Sequence, residues 1–395
     1  MLAHSPPFPI IIDHILVNDD HMTTNDVEGI ILALGHRDRV RRIRFRTPGP
    51  ADITRKLIAP IDGEFPMLEY MCIAPMQVMN FPFPKTFHAP QLRHLILVNL
   101  TLPIGSPLFS TTTSLVVLSL VNIPPPTYFQ PHELLHRVSL IPHLEVLWIE
   151  FSFMYSLHNV NLDVTHMLNA THISLPNLRV FRFRGFNGYS EVLLSRITAP
   201  HLEVVYIALW DDDGETFLAP CLLRFMSTSE DLRLGSAILS FNAGGAQLLV
   251  YPNETAKLPV FDMHVMGSPG HKVSNAAQIL KTLCPLFSSV MDLALDYKDN
   301  RGYPELQDEE EPTDWRVLLR SFNNVETLLA GEGVIGKLSR SLQLDDGESP
   351  DGLLPELKKL EWSPTNNNAD AFTGFIDARQ NAGRPVTLVD LKNTF

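Results

Sequence analysis

Cysteine is nearly absent. The 395 residues contain three, Cys72, Cys221 and Cys284, far apart and never as C-x-x-C. That excludes a disulfide framework and a thiolate zinc site, and it fits a reducing compartment. Long apolar runs are lacking as well. No stretch reaches the roughly 18 residues of a membrane span. The opening "MLAHSPPFPIIIDHILVNDD" lacks the basic start of a signal peptide, and Asp13 interrupts its short apolar run. The expected location is therefore cytoplasmic or nuclear, and the sequons at Asn99, Asn169 and Asn253 are expected to stay unglycosylated. Positive charge is in deficit: 31 Lys and Arg stand against 44 Asp and Glu, a net charge of −13. Nucleic acids and anionic membranes call for a basic surface, so neither is an expected partner. Phosphate-loop chemistry is missing too, because Gly244-Gly245 in "NAGGAQ" has no following Lys and no helix start. "GSPGH" (267–271) sets a serine near a histidine without a nucleophile elbow or an acid partner, and reads as a turn. No cofactor is expected.

What is present is a period. "LRHLILVN" (92–99) returns as "LVVLSLVN" (115–122), "LEVLWIEF" (144–151), "LRVFRFRG" (178–185) and "LEVVYIAL" (202–209). Weaker copies are "VRRIRFRT" (40–47), "LEYMCIAP" (68–75), "LGSAILSF" (234–241), "LPVFDMHV" (258–265), "VMDLALDY" (290–297), "VETLLAGE" (325–332) and "LKKLEWSP" (357–364). Alternating apolar residues in each phrase predict a short strand with one buried face. The intervening segments have room for a returning helix. "TTNDVEGIILALGHRD" predicts one with Asn25 as N-cap and Glu28 three residues on. "GYSEVLLSRI", "SNAAQILKTL", "PTDWRVLLRSF" and "NNADAFTGFIDARQNAG" carry helical spacing, the last closed by Gly383. The pattern predicts an α/β fold: an irregular leucine-rich-repeat-like solenoid of short parallel strands, returning helices and long loops. The asparagine of the usual repeat is clear only at Asn99 and Asn122. Asp211-Asp212-Asp213 and "LQDEEEPTD" (306–314) read as solvated loops. No linker divides the chain, so one domain over 1–395 is expected.

The phrases also carry a resemblance. "VEGIILALGHRDRVRRIRFR", "APQLRHLILVNLTLP", "LPNLRVFRFRG" and "APHLEVVYIAL" resemble the F-box-associated repeat proteins of mushroom-forming fungi. So does the C-terminal block "WRVLLRSFNNVETLLAGEGVIGKLSRSLQLDDGESPDGLLPELKKLEWS" with "DAFTGFIDARQNAGRPVTLV". The resemblance implies a substrate-holding repeat region in a ubiquitin ligase receptor, with an N-terminal F-box gripping a Skp1-type adaptor. No L-P-x-E-[IL]-L phrase precedes residue 25, and "LLPELKKL" (353–360) sits inside a late repeat. The chain opens where an F-box would end, so adaptor binding is expected only where one lies upstream. A stand-alone repeat scaffold with no ubiquitin link is the alternative.

One motif points elsewhere. His132-Glu133-Leu134-Leu135-His136 matches H-E-x-x-H, the two-histidine zinc site of a hydrolase. Its continuation fails. Ser139 stands where a metzincin has glycine, and Pro142 where it has the third ligand. The only acid for a gluzincin arrangement is Glu191, in a different repeat. On a helical wheel Leu134, Leu135, Val138 and Ile141 form one stripe and the histidines oppose it. A return helix with outward histidines is expected, not an enzyme and not a metal site. The sharper expectation is a protein client on the concave sheet face, at positions three, five and seven of each phrase. These are Arg42, Arg44 and Arg46; His94, Ile96 and Val98; Val117, Ser119 and Val121; then Val146, Trp148 and Glu150. Val180, Arg182 and Arg184 follow, then Val204, Tyr206 and Ala208, and later the acids Asp262, Asp292, Asp296 and Glu361. Trp148, Arg182, Arg184 and Tyr206 are the chosen protein-binding residues, since Trp, Arg and Tyr dominate binding hot spots. The arginine triplet also reads as a solvated edge strand.

Overall fold

A computed structural model describes residues 8–15, 22–47, 51–78, 83–103, 105–106, 108–124, 129–152, 172–210, 219–242, 244–266, 272–297, 312–343, 352–362 and 370–391. The Asp211–Asp213 run, the "GSPGH" turn, residues 306–311 of the acidic stretch and the Asn169 sequon lie outside them. The fold is mixed α/β. It divides into two compact units, Met1–Gly185 with Val192–Leu202, and Phe186–Glu191 with Glu203–Phe395.

The first unit is a parallel sheet in strict sequence order. Its strands are β1 (Ile10–Ile15), β2 (Val40–Thr47), β3 (Tyr70–Pro75), β4 (His94–Val98), β5 (Val117–Ile123), β6 (Val146–Phe151) and β8 (Val180–Phe186). A separate short pair joins β7 (Ile173–Ser174) to β9 (Ile197–Thr198). The expected phrases are strands because alternate residues bury: β3, β4 and β6 each alternate between half-exposed and buried positions. Parallel strands need long crossovers, and these hold helices α1 (Thr24–Leu34), α2 (Ala51–Ile58), α3 (Leu108–Thr111) and α4 (Pro131–Val138). Phenylalanines fill much of the space between sheet and crossovers. Phe83 meets Phe87 edge-on at 5.3 Å, and Phe151 meets Phe183 at 5.9 Å. Each such fully buried ring contributes about 1.5–3 kcal/mol relative to exposure.

Two expectations about this unit need correction. The cap of α1 is Thr23, not Asn25. Thr23 Oγ1 accepts the Asp26 N–H at 3.2 Å, and Asp26 Oδ2 accepts the Thr23 N–H at 2.9 Å. Both candidate pairs fit a capping box, and the earlier one wins because its partners bond reciprocally. Nor is the arginine triplet an edge strand. β2 lies between β1 and β3, and β1, unforeseen in the sequence, takes the edge.

Asn99 and Asn122 show why that position recurs. Both hold a left-handed backbone, at φ 57° and 56°, a region where asparagine is among the few tolerant residues. The Asn99 amide donates to the Pro75 carbonyl at 2.6 Å, and the Asn122 amide donates to Asn99 Oδ1. The side chains thus stitch successive turns together. Asn99 is 7% exposed, so its sequon offers no acceptor for a glycan.

Helix α5 (Asn187–Leu194) straddles the division between the units. The second unit contains β10 (Val204–Trp210), α6 (Pro220–Ser227), β11 (Ser236–Asn242), β12 (Gly245–Tyr251), β13 (Phe261–Met266) and α7 (Lys272–Leu283). Then come β14 (Asp292–Tyr297), α8 (Pro312–Leu319), β15 (Thr327–Ala330), α9 (Ile335–Leu342), β16 (Lys359–Trp362), α10 (Thr373–Asn381) and β17 (Thr387–Asp390). Gly383, at φ 78°, follows α10 as expected. The strand order is β10-β13-β12-β11-β14-β15-β16-β17. Here the all-parallel expectation fails. β12 runs antiparallel to both β11 and β13, so β13 rather than β11 sits beside β10. The cause is "NAGGAQ": the chain turns back between Asn242 and Gly245, with the Gly244 N–H donating to Asn242 Oδ1 at 2.8 Å. Gly245 has φ 142°, and a Cβ there would lie 2.0 Å from the Val265 carbonyl oxygen. The double glycine therefore serves a hairpin, which the neighbouring strand approaches closely.

Candidate functional site

The zinc motif occupies α4. Pro131 opens the helix, and Leu134, Leu135 and Val138 are buried on one side. His136 is exposed, as the helical wheel implies, whereas His132 is half-buried in the first turn rather than fully outward. Glu133 is already committed, because its Oε2 accepts the Gln130 N–H at 3.0 Å in a capping box. A carboxylate anchored to its own helix start is poorly placed to deprotonate a metal-bound water. Glu191 is committed as well. Its carboxylate accepts the N–H groups of Cys221 at 2.9 Å and Leu222 at 3.3 Å, at the start of α6. Among the described residues no group of three or more His, Cys, Asp and Glu could hold a metal.

The open face of the first unit is more informative. Its parallel register aligns side chains from one phrase to the next in rows across the strands. One row runs Arg44, Cys72, Ile96, Ser119, Trp148, Arg182. A second runs Arg42, Tyr70, His94, Val117, Val146, Val180. All are half-exposed except Ser119, which is 3% exposed and corrects the expectation that it faces outward.

Trp148 and Arg182 meet as expected of adjacent strands. The Arg182 guanidinium carbon lies 4.9 Å from the Trp148 ring centroid, which is cation–π distance. Arg184 Nη1 bonds Glu150 Oε1 at 3.1 Å on the same two strands. At the other end Arg42 lies 4.4 Å over the Tyr70 ring and 3.6 Å from Asp13. Tyr70 stands 5.7 Å from His94. Tyr70 was missed in the sequence although it is position three of "LEYMCIAP", where the positional rule would have found it. Burial, reinforced by Arg93, holds the His94 imidazole below its ordinary pKa, so it adds little charge. Burial likewise pushes the Cys72 thiol up, which makes it a poor nucleophile.

Tyr206, the remaining chosen residue, belongs to the second unit. Its ring lies 5.6 Å from His264, whose Nε2 is 3.1 Å from Asp262 Oδ1. Gln247 donates to the same oxygen at 3.1 Å. Asp262, Asp292, Asp296 and Glu361 are all half-exposed, as the positional rule requires, but Ala208 is only 1% exposed. Leu209 and Trp210 beside it are also buried, so the end of β10 is covered on both faces and Ala208 offers no contact surface.

No family model matches the chain, and no curated protein matches it. Among solved structures, a crystal structure of a TLR13–ssRNA13 complex matches at 17% identity with a TM-score of 0.31. The match covers 89% of this chain and 41% of that one, so the chain spans about two fifths of its length. Among the described residues no helix is long and apolar enough to cross a membrane.

Proposed function

We propose that the chain is a protein-binding repeat module, and that its client sits on the open face of the first unit. The observation that carries this is the Trp148–Arg182 stack, a large aromatic and a guanidinium held together at the β8 end of a largely half-exposed row. Such residues combine contact area with directional bonding, and holding them in place beforehand lowers the entropy cost of association. Consecutive parallel strands, helical crossovers and the Asn99–Asn122 stitch support an irregular leucine-rich-repeat-like solenoid as the architecture over 1–395. In this reading the module is the substrate-recognition part of an F-box-type ubiquitin ligase receptor, and catalysis belongs to other subunits. A Skp1-type adaptor joins only through an F-box. A scaffold without any ubiquitin link is the alternative.

The test is capture of a client by the full chain, followed by the Trp148→Ala, Arg182→Ala double substitution. Loss of capture with an unchanged thermal melt supports the face as the binding site. Capture that survives the double substitution places the client elsewhere. Co-purification of a Skp1-type adaptor with the protein expressed from its complete gene separates the ligase receptor from the scaffold.

A further inference from the structure

We infer that the open face of the first unit takes an extended peptide segment with carboxylates near both ends and apolar residues between. This rests on the protein-binding reading above and specifies the chemistry of the partner. Uncompensated cations mark the two ends of the face. On β2, Arg44 and Arg46 have no carboxylate partner among the described residues, whereas the adjacent Arg42 is held by Asp13. On β8, Arg182 lies over the Trp148 ring, also without a carboxylate partner among the described residues, while Arg184 is paired with Glu150. Between the two ends apolar side chains predominate, with Ile96, Val117, Val146 and Trp148 half-exposed and Tyr70 and His94 beside them nearer β2.

The spacing sets the length of the occupant. Five strand-to-strand steps separate β2 from β8 in the sheet order. At about 4.8 Å each they span about 24 Å, which an extended chain rising about 3.3 Å per residue covers in about seven residues. β-Strand addition is excluded at this site. Every strand from β2 to β6 already has a neighbour on both sides, so recognition falls to side chains. A nucleic acid fits less well, because its phosphates would fall at regular intervals over the apolar centre.

The probe is a random library of peptides about ten residues long, long enough for the seven-residue span plus flanks, panned on the full chain. Expected are enriched sequences with acidic residues about seven apart and apolar ones between. Their affinity should fall about tenfold in an Arg44→Gln, Arg46→Gln variant and again in Arg182→Gln, as expected for lost charge-assisted bonds. These side chains are half-exposed or exposed, so the variants should keep the parent melting temperature. Enriched peptides without acidic ends, or indifferent to the arginine variants, overturn the inference. If those peptides still lose affinity in Trp148→Phe, the protein-binding reading survives and only the charge pattern fails. No enrichment, or peptides indifferent to Trp148 as well, sinks both. Self-association in sedimentation velocity that the arginine variants abolish, or displacement of the peptides by oligouridine, would also overturn it by naming a different occupant.

Discussion

The two units use the same strand phrase and diverge in nearly everything the phrase leaves free. The first has 15 Lys and Arg against 14 Asp and Glu, a net charge of +1; the second has 16 against 30, a net charge of −14. Only alternate residues of a strand must be apolar to make the core, so the other set can drift in charge without disturbing the sheet. That is why Arg44 and Arg182 in the first unit occupy the phrase position that Asp262 occupies in the second, while buried neighbours such as Phe181 and Leu295 remain interchangeable hydrophobes. The units differ in order as well. The first keeps its strands in sequence order, whereas the second reverses three of them around a hairpin. The phrase specifies a strand, and the linking residues specify its neighbour.

Breaking that hairpin should have the largest effect. Alanine at Gly245 must adopt φ 142° and push its Cβ to 2.0 Å from the Val265 carbonyl oxygen. Strain and overpacking together should cost about 3 kcal/mol, read as a lower urea midpoint. Gly244→Ala is the control. Its Cβ would find only Asn242 Oδ1, at 3.4 Å, and the loss should stay within about 1 kcal/mol. Equal losses at the two positions would mean that the close approach of β13 does not shape this unit.

The first unit has its own counterpart in the asparagine stitch. Asn99→Ala removes the bond to Pro75 and the acceptor for Asn122, so a loss of about 2–3 kcal/mol is expected. Asn122→Ala removes one bond of a less buried residue and should cost about 1 kcal/mol. Asn99→Gly keeps the left-handed backbone easy while deleting the amide, so comparison with Asn99→Ala separates strain from hydrogen bonding. The stitch ends because the next phrase puts Phe151 at that position, where it packs against Phe183. If Asn122→Ala proved the costlier change, the side chains would not be acting as a ladder anchored at Pro75.

This contrast also explains what was legible in the sequence. All twelve phrases coincide with strands, because buried alternation is a direct imprint of a half-buried strand. The five strands that escaped left weaker imprints. β1 lies in a brief run of isoleucines, β7 and β9 are only two residues each, β12 opens at a double glycine, and β17 buries almost nothing. In the site, the Trp148–Arg182 contact was readable because both occupy position five of consecutive phrases. The Arg42–Asp13 pair was not, since Asp13 belongs to the unforeseen β1. The reversal of β11 to β13 was hidden for a different reason: strand order depends on how a connection turns, and alternation carries no trace of it.

The smallest expected effect concerns the second unit's acidity, and it has an unusual sign. Glu191 is a carboxylate that burial pushes above its ordinary value of 4.5, even though the N–H groups of Cys221 and Leu222 pull it down. A carboxyl with a raised folded-state pKa binds its proton more tightly in the folded chain. Its contribution to stability is therefore fully present below the unfolded value and is lost as pH rises through the folded one. This is opposite to the behaviour of a carboxylate in a buried ion pair. Glu191→Gln keeps an acceptor for the start of α6 but cannot titrate. Losing the second acceptor oxygen adds an offset that is independent of pH, so the informative quantity is the slope. The stability difference between Gln and wild type should shift in favour of Gln as pH rises from 4.5 through the raised folded value, and level off beyond it. Urea midpoints of both proteins across that window measure the shift; a difference that stays flat, or moves in favour of Glu, would mean that the N–H groups outweigh burial.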